Sequence, residues 1–515
     1  MQEIELKFDL DGAQEKRLRS SAVVKQLSEG PAVTESLWSV YYDTPDHALR
    51  AEGTALRLRR VQGEWVQTVK CTTGAMANGL SNPFEIEYEV SGQNLDLTRI
   101  PDHDLREHLI GLSRAGLVPV VETRFRRTRR MLTLPDGSVR AEFAIDKGTL
   151  SSGDTTQAFT EAEFELKDGT PSRLYELAQR VMTLGPIRFA QASKSERALA
   201  LSQPDLLPTL RKARRVDLSN VSSVEEAAIL ILTEGLSHAA PNIAMVLESE
   251  NMNGPHQMRV GLRRLRSALS AFRPALGREA LAPIGEQAQF LAAQAGHIRD
   301  LDVLAEEIVA AEAQANPAEP GHRHLIDAIR AHRELVRAQV RKTLAQPQRS
   351  LFPLDLASFI ANRGWVDGAD YTQTTRLSQP VLPFARKVLD KRWKAVRLWG
   401  DRIETLTIDE RHEMRKDVKK LRYLVDAFRT LFDPDDVAAF NRGVKRLQKA
   451  FGALNDSAMA ELVLMAPDAP GIDDPLAQRS AGRIIGKLLA QSDALWPAAI
   501  DDWHSLSESG RFWRR

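Results

Sequence analysis

At 515 residues the chain exceeds one ordinary core, because single domains rarely grow past about 250–300 residues, so two or three domains are expected. With 43% hydrophobic and 27% charged residues it is neither disordered nor fibrous in composition, and its 70 Lys+Arg against 69 Asp+Glu leave a formal net charge of +1. Bulk charge therefore draws in no polyanion, and any such binding must come from local arrangement.

Cys71 is the only cysteine, which excludes an intrachain disulfide and a zinc cluster built on several thiolates. The opening MQEIELKFDL carries acids and a lysine where a secretory core would be apolar, and no uninterrupted run of about 18 apolar residues is found. The expectation is a cytoplasmic protein that neither enters a membrane nor is exported.

In chain order, residues 1 to about 167 read as short strands. Alternate residues of a strand share a face, so Glu3, Glu5 and Lys7 project together while Ile4, Leu6 and Phe8 project oppositely. The same alternation sets Arg57 and Arg59 against Leu56 and Leu58, and Thr68 and Lys70 against Val69. It also sets Glu85, Glu87 and Glu89 against Ile86 and Tyr88, Arg140, Glu142 and Asp146 against Ala141, Phe143 and Ile145, and Glu161, Glu163 and Glu165 against Ala162 and Phe164. A sheet with its polar face in water explains any one of these segments. Taken together, acids in pairs and bases in pairs suit a closed barrel, with carboxylates on one wall for Mg2+ or Mn2+ and Arg and Lys on another for phosphate.

These segments resemble the CYTH domains, also called triphosphate tunnel metalloenzymes. The resemblance rests on Glu3-Ile4-Glu5-Leu6-Lys7, YYDTPDHALRAEGTALRLRR at 41–60, WVQTVK at 65–70, EYEV at 87–90, AEFAID at 141–146, EAEFELKDG at 161–169 and SKSER at 193–197. It implies an eight-stranded antiparallel β-barrel over residues 1–202 that binds inorganic triphosphate and uses a divalent metal. Carried over residue by residue, it assigns Glu3, Glu5, Glu161, Glu163 and Asp146 to metal. It assigns Lys7, Arg57, Arg59, Lys70, Arg127, Lys194 and Arg197 to substrate, and Lys7, Asp146 and Glu87 to catalysis. Two registers stay open: Glu165 can replace Glu161, and the later tunnel arginine lies within Arg124–Arg127. Glu85 stands where relatives often carry arginine.

Pro204 and Pro208 mark a connector over 203–220. From residue 221 to about 508 the apolar period is helical, with weaker breaks at 313–322 and 364–368. HQMRVGLRRLRSALSAF at 256–272 aligns with HEMRKDVKKLRYLVDAF at 412–428, and the copies extend to Asp300 and Asp456 at the same offset. One face carries His256, Arg259, Arg263 and Arg266, matched by His412, Arg415, Lys419 and Arg422, with Arg264 and Lys420 flanking. A single basic stripe is ordinarily a solvated face, whereas two in register can form one groove. Asp300 and Asp456 either orient these side chains or cap helices.

This half resembles the CHAD domain, and the resemblance implies two pseudo-twofold four-helix bundles that bind inorganic polyphosphate. The whole is an α+β multidomain chain, expected to be a metal-dependent inorganic triphosphatase with a polyphosphate-binding domain. The alternatives are a nucleotide or thiamine triphosphate hydrolase or adenylate cyclase of the same class, disfavoured by the lack of inward-facing aromatics, and a non-catalytic polyphosphate scaffold. Nucleic acid is disfavoured because the stripes offer few groups that read or stack on bases. The oligomeric state is not legible.

Overall fold

In the computed structural model, residues 3–61, 63–71, 79–206 and 210–515 are described, so Pro208 of the expected connector lies outside them. The chain forms two compact units: Met1–Arg211 with Ala345–Gly364, and Lys212–Leu344 with Trp365–Arg515.

The first unit is built on one antiparallel sheet of strands β1 (Glu5–Asp9), β2 (Val33–Asp43), β3 (Thr54–Val61), β4 (Glu64–Cys71), β5 (Leu80–Ser81), β6 (Phe84–Val90), β7 (Val118–Thr133), β8 (Val139–Ser152) and β9 (Thr155–Gly169). Their order is β5-β1-β9-β8-β7-β2-β3-β4-β6. The two ends of this order, β5 and β6, are consecutive in sequence, so residues 80–90 join one edge of the sheet to the other and curl it round. Nine strands form where eight were expected. The extra one arises where Pro83, which has no N–H to donate, divides this joining segment in two.

Curling buries both faces of β1. On β1, Leu6 and Phe8 are 0% exposed on the outer face, yet Glu5 and Lys7 on the inner face are only 5% and 8% exposed. Gly148 permits close strand approach, since a Cβ there would lie 2.0 Å from the Arg124 carbonyl oxygen.

The first unit also takes in chain from the helical half. The helix Phe352–Ala361 packs on the helix Pro171–Val181. Gln179 donates to Asp355 Oδ1 at 2.9 Å, Asn362 donates to the Ser172 carbonyl at 3.2 Å, and the Ile187 N–H donates to the Ser350 carbonyl at 3.0 Å.

The second unit contains eight long helices: α1 (Val224–Glu248), α2 (Asn253–Leu276), α3 (Arg278–Asp302), α4 (Gly321–Leu344), α5 (Val381–Gly400), α6 (Ile408–Phe428), α7 (Pro434–Leu464) and α8 (Pro475–Glu508). Capping boxes start α1 at Ser223/Glu226 and α6 at Thr407/Glu410. The apolar stripes read from the repeat are core: Met258, Leu262, Leu265 and Phe272 on α2, and Met414, Val418, Leu421 and Phe428 on α6, are at most 1% exposed. The two copies share a core, because α4 packs on both α3 and α8, and Leu325 and Ile329 share one core cluster with Leu464 and Ile484. Helix α1 is long and apolar enough in composition to span a membrane, with a mean hydropathy of 1.3, but 61% of that window is buried within the protein.

The insertion of residues 345–364 generates a stability prediction. A Cβ on Gly185 would lie 2.1 Å from Ser350 Oγ, whereas one on Gly12 meets nothing within 4 Å. Gly185→Ala is expected to destabilise the first unit by about 1–3 kcal/mol through overpacking. Thermal denaturation should show a lowered transition for Gly185→Ala and none for Gly12→Ala.

Candidate functional site

The interior of the curled sheet is a network of buried ions. Lys7 Nζ lies 2.9 Å from Glu5 and 3.2 Å from Glu163. Lys70 Nζ sits among Glu3 at 2.8 Å, Glu5 at 3.2 Å and Glu85 at 3.1 Å. Arg57 reaches Glu85 and Glu87, each at 3.0 Å, and donates to Thr68 Oγ1 at 3.1 Å.

On the opposite wall Arg127 makes a two-pronged pair with Asp146, at 2.8 and 2.7 Å, and also pairs with Glu163. Of the Arg124–Arg127 cluster it is Arg127 that makes these contacts, while Arg124 pairs with Glu122 and lies over the Trp38 ring. Lys194 pairs with Glu161, with Glu163 at 2.6 Å and with Asp146 at 3.0 Å, and Arg197 lies 2.8 Å from Asp9 and 2.9 Å from Glu161.

The placement of Lys194 and Arg197 follows from the local sequence. Ser193 and Glu196 form a capping box that starts the helix Lys194–Leu199, and i,i+3 spacing then puts both cations on one side. The β1–β9 register sets Lys7 opposite Glu163 and Asp9 opposite Glu161, while Glu165 turns to Lys167. Arg140 pairs with Glu29 at the exposed edge.

Glu3, Glu5, Asp9, Glu85, Glu87, Asp146, Glu161 and Glu163 thus supply the counter-charges of Lys7, Arg57, Lys70, Arg127, Lys194 and Arg197. Burial pushes the Glu3 carboxyl up to about 8 and that of Glu161 up to about 7. Burial acts to raise Glu163 as well, but Lys194, Lys7 and Arg127 hold it well below the usual carboxylate range. Arg59 is the exception to pairing. Among the described residues it makes no salt bridge, donating instead to Ser39 Oγ at 3.0 Å, and burial with Arg57 and Arg127 nearby lowers it to about 10.

Asp146, Glu161 and Glu163 can each offer an oxygen within 4.8 Å of the others, and all three are buried. Clustered carboxylate oxygens are the donors that hard divalent cations such as Mg2+ and Mn2+ prefer, so the residues fit such an ion.

Several interior residues were not singled out by pattern alone. Tyr41, opposite Arg57 in the β2–β3 register, is buried beside it; burial acts to raise its phenol, but Arg57 and Arg59 lower it. Phe125 and Phe159 overturn the expectation that no aromatics face inward: the Lys194 ammonium lies 5.5 and 5.6 Å from their ring centres. Both rings are 5% exposed and pack with Leu37, Leu150 and Leu199, so they back the cations as core.

In the helical unit, α2 and α6 pack together and bring Arg259, Arg263, Arg415 and Lys419 into one another's fields. Burial, followed by these like charges, lowers Arg415 to about 10 and Lys419 to about 7. Arg263 hydrogen-bonds with Tyr423 and is also lowered, chiefly by burial. The Nε atoms of Arg415 and Arg422 are buried without a partner among the described residues.

His256 and His412 are both lowered by burial, and then by Arg299 and Arg415 respectively. Asp300 lies near the end of α3, pairs with Arg259 at 2.5 Å and caps no helix; Asp456 lies within α7, in the field of Arg415. Arg266 and Arg422 donate to Gln289 and Gln448. Arg264 and Lys420 take Asp426 and Asp417 as partners, at 3.9 and 2.8 Å, and do not join the converging group.

Residues 1–199 match the model of the CYTH domain and residues 230–464 that of the CHAD domain. Over 176 residues the chain is 32% identical to an inorganic triphosphatase of Haemophilus influenzae, a match covering 33% of this chain and 47% of that relative, which is under half its length. An uncharacterised protein of Mycobacterium tuberculosis is 25% identical over 457 residues, covering 82% of each chain. The crystal structure of a CHAD domain from the plant Ricinus communis is 24% identical, with a TM-score of 0.50, and the match covers 59% of this chain and 98% of that one.

The clustered cations set a pH expectation. Lys419 should half-titrate near pH 7, against an ordinary 10.5, so its neutral form is favoured by the fold and its contribution to stability rises with pH between those values. Lysine-selective NMR titration should place the midpoint near 7, and Arg415→Ala should move it upward.

Proposed function

The chain joins a CYTH domain to a CHAD domain, and from that premise we propose that it is a metal-dependent inorganic triphosphatase whose helical unit binds inorganic polyphosphate. The observation that supports the enzymatic half most strongly is the buried carboxylate group Asp146, Glu161 and Glu163 set among Lys7, Arg127 and Lys194. A solvated outer face would not bury such groups, because an ion removed from water costs several kcal/mol unless paired.

On this reading Asp146, Glu161 and Glu163 hold Mg2+ or Mn2+, with Glu3 and Glu5 on the neighbouring wall. The metal, when bound, supplies positive charge to the phosphate oxygens and stabilises the charge that builds up during transfer. Lys7, Arg57, Arg59, Lys70, Arg127, Lys194 and Arg197 exchange carboxylate partners for phosphate oxygens and hold the chain in line. Arg59, with no carboxylate to leave, is the first of these available to an incoming anion. A carboxylate then orients the attacking water, and Asp146 and Glu87 are the candidates. The terminal P–O–P bond breaks, giving diphosphate and phosphate. Such a reaction depends on positioning and charge neutralisation more than on covalent chemistry.

The helical half is supported by the opposite arrangement. Arg259, Arg263, Arg415 and Lys419 repel one another, and a flexible polyanion relieves that repulsion. A reducing compartment such as the cytoplasm suits the free thiol of Cys71.

Purified protein should release phosphate from inorganic triphosphate with Mg2+ or Mn2+, and Glu5→Ala should lower that rate at least about 100-fold. ATP and thiamine triphosphate serve as competitors; faster turnover of either would displace triphosphate as the substrate. For the helical unit, Arg263→Ala with Arg415→Ala should weaken polyphosphate binding at least about tenfold and reduce its salt dependence, as read by calorimetry at two ionic strengths. Undiminished binding would remove these helices from the reading.

A further inference from the structure

Glu85 belongs to no ligand set assigned above, yet its carboxylate is shared by two cations of the neighbouring strands β3 and β4. Arg57 Nη2 lies 3.0 Å from Glu85 Oε1, and Lys70 Nζ lies 3.1 Å from Glu85 Oε2. Its neighbour Glu87 also meets Arg57, but that side chain is 50% exposed whereas that of Glu85 is 12% exposed. Water therefore screens Glu87 and leaves the charge of Glu85 largely unscreened.

Arg57 and Lys70 are already held by carboxylates, so a free phosphate chain entering alone must displace Glu85 to reach them. To bind it, Arg57 and Lys70 must release Glu85, setting a buried carboxylate, with Glu3 beside it, next to a polyanion. A chain that arrives with a divalent cation brings the missing positive charge.

Building on the triphosphatase reading, we infer that Glu85 is a specificity-determining residue, which keeps Arg57 and Lys70 occupied against free phosphate chains and selects a chain complexed with a divalent cation. It acts through the two cations it holds and through the charge it leaves on the wall.

The test is calorimetric binding of inorganic triphosphate in EDTA, so that the readout does not depend on turnover. The full chain carries Arg263→Ala and Arg415→Ala throughout, which weakens the helical anion site equally in parent and variants. Glu85→Gln should bind free triphosphate about tenfold tighter than its parent, and for a non-hydrolysable triphosphate analogue in excess Mg2+ the two should differ less than about threefold. Glu85→Ala should shift binding in the same direction. Glu85→Asp, which keeps the charge, and Glu89→Gln, an exposed acid of the same strand, should bind as the parent does. Circular dichroism melts establish that each variant is folded.

Free triphosphate bound equally or more weakly by both Glu85→Gln and Glu85→Ala, in a protein that still hydrolyses triphosphate with Mg2+, would overturn the role of Glu85 alone. A parent and variants that neither bind nor hydrolyse triphosphate under any condition would overturn both this role and the triphosphatase reading.

Discussion

Everything in the first unit depends on the cost of enclosing charge. A buried carboxylate or ammonium without a partner costs several kcal/mol, so a sheet that curls around ionisable side chains must supply counter-charges, Arg59 being the exception. The interior does so in interleaved fashion: Lys70 among Glu3, Glu5 and Glu85, Lys194 among Asp146, Glu161 and Glu163, and Lys7 bridging Glu5 and Glu163. Each ammonium occupies a position that several carboxylates share. The same geometry suits a divalent cation, which is why the proposed chemistry is an exchange of partners within an ion-paired assembly.

The helical unit solves a different problem. Arg259, Arg263, Arg415 and Lys419 are brought together with few acids, and burial followed by the like charges of the arginines lowers Lys419 to about 7. One site is thus self-neutralised and the other self-repelling. On the proposed reading, the first waits for a metal together with its phosphate chain, and the second is predisposed to any flexible polyanion.

Much of this was legible in the residues. The alternation in Glu3–Phe8 marked both faces of β1, and SKSER encodes the capping box that presents Lys194 and Arg197. The repeat at 256–272 and 412–428 identified both apolar stripes and the basic face beside them. What escaped detection depends on long-range pairing. Tyr41 meets Arg57 only through the β2–β3 register, and Glu85 gains its importance from Arg57 and Lys70 on two other strands. Phe125 and Phe159 read as ordinary strand apolars until the sheet curls and brings Lys194 against them. Nor does anything in residues 345–364 signal that they join a unit whose other residues end at Arg211, because that association rests on Ser350, Asp355 and Asn362 finding partners more than 150 residues away.

Anomalous diffraction from crystals grown with Mn2+ and a non-hydrolysable triphosphate analogue tests the central claim most directly. The account predicts a manganese peak coordinated by carboxylates of Asp146, Glu161 and Glu163, with the Lys194 ammonium moved from those carboxylates onto a phosphate oxygen. Analogue bound only on the helical unit, with no manganese inside the sheet and Lys194 still held by its three acids, would contradict it.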